Sequence, residues 1–99
     1  MNQRLSPLAK RDLDAIFNFL AGYNLDMARA VLARIRTSMG LLMIFPEIGH
    51  AGTITGTREW GVKQLPYIII YRYDRRRNDI EILRVYHGAQ DRPYNQILN

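Results

Sequence analysis

Seven residues in the second half of the chain bring together cationic, phenolic and imidazole groups: Arg58, Lys63, Arg72, Arg84, Tyr86, His87 and Arg92. Converging on one surface, they could cleave RNA without a metal. One group would take the 2′-hydroxyl proton, arginines would stabilise the pentacoordinate phosphate, and another group would protonate the leaving oxygen. The same set could equally dock on an acidic protein surface or a DNA backbone. Each residue alone also has a plainer reading. Arg84, between Leu83 and Val85, would pair with Glu59 or Asp91, and His87 at a strand end would be structural. Trp60 alternates in phase with Val62 and reads as core. Tyr67, Tyr71 and Tyr73 share one strand face and would fill the space beneath packed helices. The run Arg75-Arg76-Arg77 reads as a solvated turn.

Most other chemistries lack their residues. The 99-residue sequence has no cysteine, which removes disulfide scaffolds, thiolate zinc sites and cysteine nucleophiles. His50 and His87 are the two histidines, and no carboxylate spacing around them suits a metal. Glu59 and Glu81 read as solvent-side strand residues, which leaves no carboxylate pair for glycoside chemistry. Phosphate-cradling glycine loops, His-Glu-x-x-His, calcium loops and Gly-x-Ser-x-Gly elbows are absent. The expectation is a protein with no metal and no cofactor.

Charge narrows the partners. Fourteen Lys and Arg against nine Asp and Glu give a net charge of +5, and only Lys10 and Lys63 are lysine. Arginine keeps its charge in any environment and offers a planar fork to phosphate or carboxylate. Nucleic acid, an acidic protein or an acidic surface would suit such a balance. The longest apolar runs fall far short of the roughly 20 residues that span a bilayer, and the N-terminus lacks a signal-peptide stretch. The expected location is the cytoplasm, with no membrane partner.

The elements that must position these groups read as helices first and strands second, in one domain over residues 1–99. Arg4-Leu5 could be a short opening strand. Ser6 is an N-cap signal and Pro7 a first helical residue. Ala9, Leu13, Ile16, Phe17 and Leu20 follow at helical spacing, and Gly22 ends the helix. Asn24 caps a second helix over about Leu25 to Ile44, which stops before Phe45-Pro46 because the residue before proline avoids helical angles. So short a connection folds the two back as an antiparallel hairpin. Pro46 to Gly56 reads as a loop, followed by a strand around Trp60 and Val62. Strands over Tyr67 to Tyr73 and Ile80 to Tyr86 flank a polar turn and pair antiparallel. Both are apolar on both faces near their middles, so they are central. His87 to Pro93 breaks the last strand and leads to a tail. The fold class is α+β, an antiparallel helical hairpin across one face of a small antiparallel sheet.

Several segments are also familiar as a set. Leu5-Ser6-Pro7-Leu8-Ala9-Lys10-Arg11-Asp12-Leu13, Pro46-Glu47-Ile48-Gly49 and Gly56-Thr57-Arg58-Glu59-Trp60 are three of them. Pro66-Tyr67-Ile68-Ile69-Ile70-Tyr71-Arg72 and Ile82-Leu83-Arg84-Val85-Tyr86-His87-Gly88-Ala89-Gln90-Asp91-Arg92-Pro93 complete it. Nearly the whole chain thereby resembles the ParE branch of the RelE/ParE toxins, the toxic halves of bacterial type II toxin–antitoxin modules. The resemblance implies a toxin neutralised by a cognate ParD-like antitoxin, whose disordered segment folds as a helix along the hairpin. Phe17, Leu20, Arg29 and Arg36 are the expected antitoxin contacts. A homo-oligomer, or a hetero-oligomer with the antitoxin, is compatible with the exposed hairpin.

The branch decides the mechanism. RelE-type members cut messenger RNA on the ribosome and typically have an arginine two residues into the Pro-Tyr-like strand, where this chain has Ile68. Tyr86-His87 does resemble the ending of some RelE-like ribonucleases, so Arg84, Tyr86 and His87 are the catalytic candidates under that alternative. ParE-type members poison DNA gyrase by trapping its cleaved DNA complex, with no chemistry of their own. That reading is favoured, with Arg58, Arg72, Arg84 and Arg92 as target-binding candidates; an inactive or retargeted toxin is a further alternative. A DNA-binding module would need helix-turn-helix spacing, which does not accompany Arg29, Arg34 and Arg36.

Overall fold

Ser6 starts the first helix with two bonds at once. Its hydroxyl accepts from the Ala9 N–H at 3.0 Å and donates to the Leu83 carbonyl at 2.7 Å, so the cap also fastens the helix to the sheet. These relations come from a computed structural model that describes residues 1–89. The helix, α1, spans Pro7–Ala21, with Pro7 in the first turn where a missing N–H costs nothing. Gly22 closes it in a right-handed conformation, its N–H donating to the Asn18 carbonyl, so no left-handed cap is involved. Asn24 then caps the second helix, α2 (Leu25–Ile44), by accepting from the Met27 N–H at 2.9 Å. The two helices pack as the expected hairpin.

Five strands form one sheet in the order β1-β5-β4-β3-β2: β1 (Asn2–Leu5), β2 (His50–Ala51), β3 (Arg58–Gly61), β4 (Tyr67–Asp74) and β5 (Asp79–His87). Two features differ from the sequence reading. The opening strand is longer than Arg4-Leu5 and runs parallel to β5, from Asn2 opposite Asp79 to Leu5 opposite Ile82, which makes the sheet mostly rather than wholly antiparallel. The expected loop contains β2, whose two residues pair with Glu59 and Arg58. A two-residue pairing is too short for alternation to reveal. The β4–β5 ladder holds a bulge at Ile70/Tyr71: Ile70 faces Arg84 and Tyr71 faces Ile82, so β5 has one extra residue.

The bulge resets which side chains face the helices. Ile80, Ile82 and Val85 of β5 join Ile69 and Tyr71 of β4 in the main core, against Ile35, Met39 and Leu42 of α2 and Ala9 of α1. Leu83 and Tyr86 turn to the other face and pack with Ile70 and Ile68. Trp60 is partly buried against the main core, as its phase predicts, and so is Tyr73. Among the described residues no helix is long and apolar enough to cross a membrane.

Candidate functional site

Two surfaces stand out, one between the helices and one around the sheet. Between α1 and α2 opens a groove of about 390 Å³, walled by Leu13, Asp14, Phe17 and Asn18 on one side and Arg29, Leu32 and Arg36 on the other. Leu13 and Phe17 are one helical turn apart, as are Asp14 and Asn18, so each pair lines the groove from one face of α1. Three expected contacts, Phe17, Arg29 and Arg36, are therefore brought together. Leu20 is half-buried and does not line the groove. Arg29 and Arg36 are exposed, and neither has an ion-pair partner among the described residues.

Among the described residues, the basic side chains of the strands have separate surroundings. Arg84 forks onto Asp12 of α1, with Nε at 2.7 Å from Oδ2 and Nη2 at 2.8 Å from Oδ1. The same carboxylate accepts from the Val85 N–H at 2.9 Å. Both side chains are largely buried, 11% and 14% exposed. The bond to Asp12 raises the Arg84 guanidinium above its already high ordinary range, against the opposing effect of burial. Arg84 thus pairs with Asp12 of α1 rather than with Glu59, although Arg84 and Glu59 both stand opposite Ile70 in the sheet register. Asp91, the other expected partner, and Arg92 lie outside the described residues.

Arg58 also serves the chain itself. Its Nη1 donates to the Glu47 carbonyl at 3.2 Å and to the Gly49 carbonyl at 2.7 Å, pinning the segment after α2. The Tyr71 hydroxyl works beneath the same segment, accepting from the Gly49 N–H at 3.0 Å and donating to the Pro46 carbonyl at 2.8 Å. Burial pushes that phenol's pKa up, so it keeps its proton and both bonds. Arg72, by contrast, is exposed on β4, and its side chain makes no hydrogen bond or ion pair among the described residues. Lys63 is exposed as well.

Tyr86 and His87 are sequence neighbours on a strand and face opposite ways. His87 meets the Tyr67 ring edge-on at 5.6 Å, and its Nδ1 accepts from the Ala89 N–H at 3.1 Å. Tyr86 is buried on the other face, where its hydroxyl donates to Glu59 Oε1 at 3.3 Å. Glu59 is a correction to the sequence reading: it is 1% exposed and not a solvent-side residue. The segment through Gly52 approaches its carboxylate: a Cβ at Gly52 would lie 2.4 Å from Thr57 Oγ1 and 3.4 Å from Glu59 Oε2. His50 Nε2 stands 4.0 Å from the same carboxylate. Period-two alternation alone assigns Glu59 to the face that carries Tyr86 but does not show that its carboxylate is buried there. Glu81, the other expected solvent-side acid, is half-buried 3.8 Å from Arg4. Among the described residues no group of acidic and histidine side chains could hold a metal ion.

Comparison with known proteins gives the arrangement its context. The sequence model described as "ParE toxin of type II toxin-antitoxin system, parDE" matches residues 4–92. The curated protein "Putative toxin Y4kP" of Sinorhizobium fredii is 41% identical over 85 residues, covering 86% of this chain and 85% of its own. A solved chain of the chromosomal ParDE toxin–antitoxin system from P. aeruginosa superposes with a TM-score of 0.77 at 21% identity, covering 88% of this chain and 95% of that one. A chain of the toxin–antitoxin complex RelBE2 from Mycobacterium tuberculosis gives 0.58 at 25% identity, covering 87% and 95%. With a family model spanning nearly all of the sequence and a helical hairpin on a mostly antiparallel sheet, this chain belongs to the ParE toxins of type II toxin–antitoxin systems.

Proposed function

We propose that this toxin is neutralised by a ParD-like antitoxin whose helix fills the α1–α2 groove, and that the free toxin inhibits DNA gyrase by trapping its cleaved DNA complex. The observation that favours gyrase over RNA is the dispersal of the catalytic candidates. Arg84 is engaged by Asp12, Tyr86 lies under the outer face on Glu59, and His87 faces the other way against Tyr67. An RNase needs a base, an acid and a phosphate clamp within hydrogen-bond reach of one phosphate. A protein that binds its target needs only a complementary patch. Arg72 is the candidate best placed to contribute to one, being exposed and uncommitted among the described residues.

The test is a supercoiling and cleavage assay with purified gyrase, ATP and plasmid. Linear DNA accumulates with the toxin and disappears when antitoxin is added. Arg72→Ala stays folded and gives less linear DNA. Normal supercoiling in the presence of a folded, growth-inhibiting toxin would remove the gyrase reading. Ribosome-dependent mRNA cleavage lost in Tyr86→Phe/His87→Ala would then put the ribonuclease in its place.

A further inference from the structure

The segment after α2 shows apolar side chains to water on a backbone that has little freedom to move. Ile44, Phe45 and Ile48 are 69%, 55% and 37% exposed. With Pro46 and Glu47 they line a shallow concavity of about 490 Å³. Tyr71 and Arg58 hold this turn through four bonds to its backbone, and Arg75 holds Glu47 by an ion pair. Gly49 has no room for a side chain, since a Cβ would lie 2.7 Å from the Tyr71 hydroxyl and 2.8 Å from the Glu59 carbonyl. Single exposed apolar residues are ordinary, but three grouped on one fixed turn form a preorganised contact surface.

We infer that the antitoxin helix filling the α1–α2 groove continues along α2 and seats its apolar end on the Ile44–Phe45–Ile48 knuckle, so that groove and knuckle are one docking track. This rests on the antitoxin reading above. Arg36, Gly40 and Ile44 follow one another at intervals of four residues and form one ridge of α2, leading from the groove wall to the knuckle. Gly40 is exposed, and a Cβ there would meet nothing within 4 Å. It leaves a notch over which a second helix can pass closely. Arg29 to Ile44 covers about 22 Å of helix axis, a span that about 15 residues of partner helix match.

Charge selects this occupant over a second copy of the toxin. Arg29 and Arg36 stand at the groove end, and the arginine run 75–77 is tied to the knuckle end through Glu47. A second copy would bring the same excess of 14 basic over 9 acidic residues against it. An acidic amphipathic helix would instead set carboxylates against the arginines and apolar residues on Phe17 and Phe45.

The experiment is calorimetric titration of the cognate ParD-like antitoxin into purified toxin and three variants, with melting curves of each free protein. Phe45→Ser/Ile48→Ser removes the knuckle, Gly40→Gln fills the notch, and Arg29→Glu/Arg36→Glu reverses the groove charge. All three change exposed positions, and each is expected to weaken binding about tenfold or more with melting preserved. Hydrogen exchange on the wild-type complex, which needs no variant, should slow along the whole stretch from Arg29 to Gly49. If the groove variant alone weakens binding and protection stops near Arg36, the continuous track is wrong while the antitoxin reading stands. If no variant changes affinity, both are wrong. A knuckle variant that binds antitoxin normally but no longer inhibits growth would assign the knuckle to the target. One that alters only sedimentation would assign it to a second copy. Either result overturns the inference.

Discussion

Asp12 illustrates how one side chain can decide what an arginine is for. Its carboxylate accepts three bonds from β5, two from Arg84 and one from the Val85 N–H. Removing either partner of a largely buried ion pair strands the other, at a cost of about 3–5 kcal/mol. Asp12→Ala and Arg84→Ala should therefore both lower the urea midpoint strongly. The double variant should cost clearly less than the sum, because neither charge is then left alone. A non-toxic Arg84→Ala would be explained by its midpoint, whereas Arg72→Ala should leave the midpoint unchanged. Tyr71→Phe tests a different bond type. It leaves the Gly49 N–H and the Pro46 carbonyl without their partner, a loss of about 1–3 kcal/mol that equilibrium denaturation can read.

At the scale of elements, the turn after α2 shows how glycines divide their work. Gly49→Ala would drive a methyl group into the Tyr71 hydroxyl and the Glu59 carbonyl, and should destabilise by about 1–3 kcal/mol. Gly40→Ala meets open space and should stabilise α2 by up to about 1 kcal/mol, read as a raised melting temperature. Acid gives a further handle on this turn. The Arg75 guanidinium holds the Glu47 carboxyl below its ordinary 4.5. The contribution of Glu47 is complete above that value and is lost as pH falls through the lower folded-state value. Hydrogen exchange at Ile48 and Gly49, corrected for its intrinsic pH dependence, should therefore show no added opening until the solution is more acidic than pH 4.5.

The helices were legible because their signals are local: Ser6, Pro7, Asn24 and Phe45-Pro46 act on residues within one turn of themselves. The central strands were legible for the same reason, through the alternation from Tyr67 to Tyr73. Three features depend on residues far apart in sequence, and no local pattern encodes them. The parallel β1 pairing joins Asn2 to Asp79, the Asp12–Arg84 bond joins α1 to the last described strand, and Glu59 is buried beside the Tyr86 hydroxyl of β5. Of the groove, Phe17, Arg29 and Arg36 were readable from the resemblance and helical spacing. The knuckle was not, since Ile44, Phe45 and Ile48 look like ordinary core residues until the chain around them is placed.

For the whole molecule, charge bears on how partners arrive. A surplus of basic residues accelerates encounter with an acidic partner, and salt screens it. Antitoxin association should slow as sodium chloride rises from about 50 to 500 mM, with a smaller change in dissociation, as stopped-flow measurements can show. Connectivity bears on something else. The first strand lies beside the last one described, and Ser6 and Asp12 are bonded to Leu83, Arg84 and Val85. Until Asp79–His87 has been made, β1 has no partner strand, Ser6 and Asp12 lack the groups that tie α1 to the sheet, and β4 lacks one whole edge. Synthesis therefore imposes an order: on a growing chain the sheet stays open for most of the described length and can close only when β5 emerges between β1 and β4.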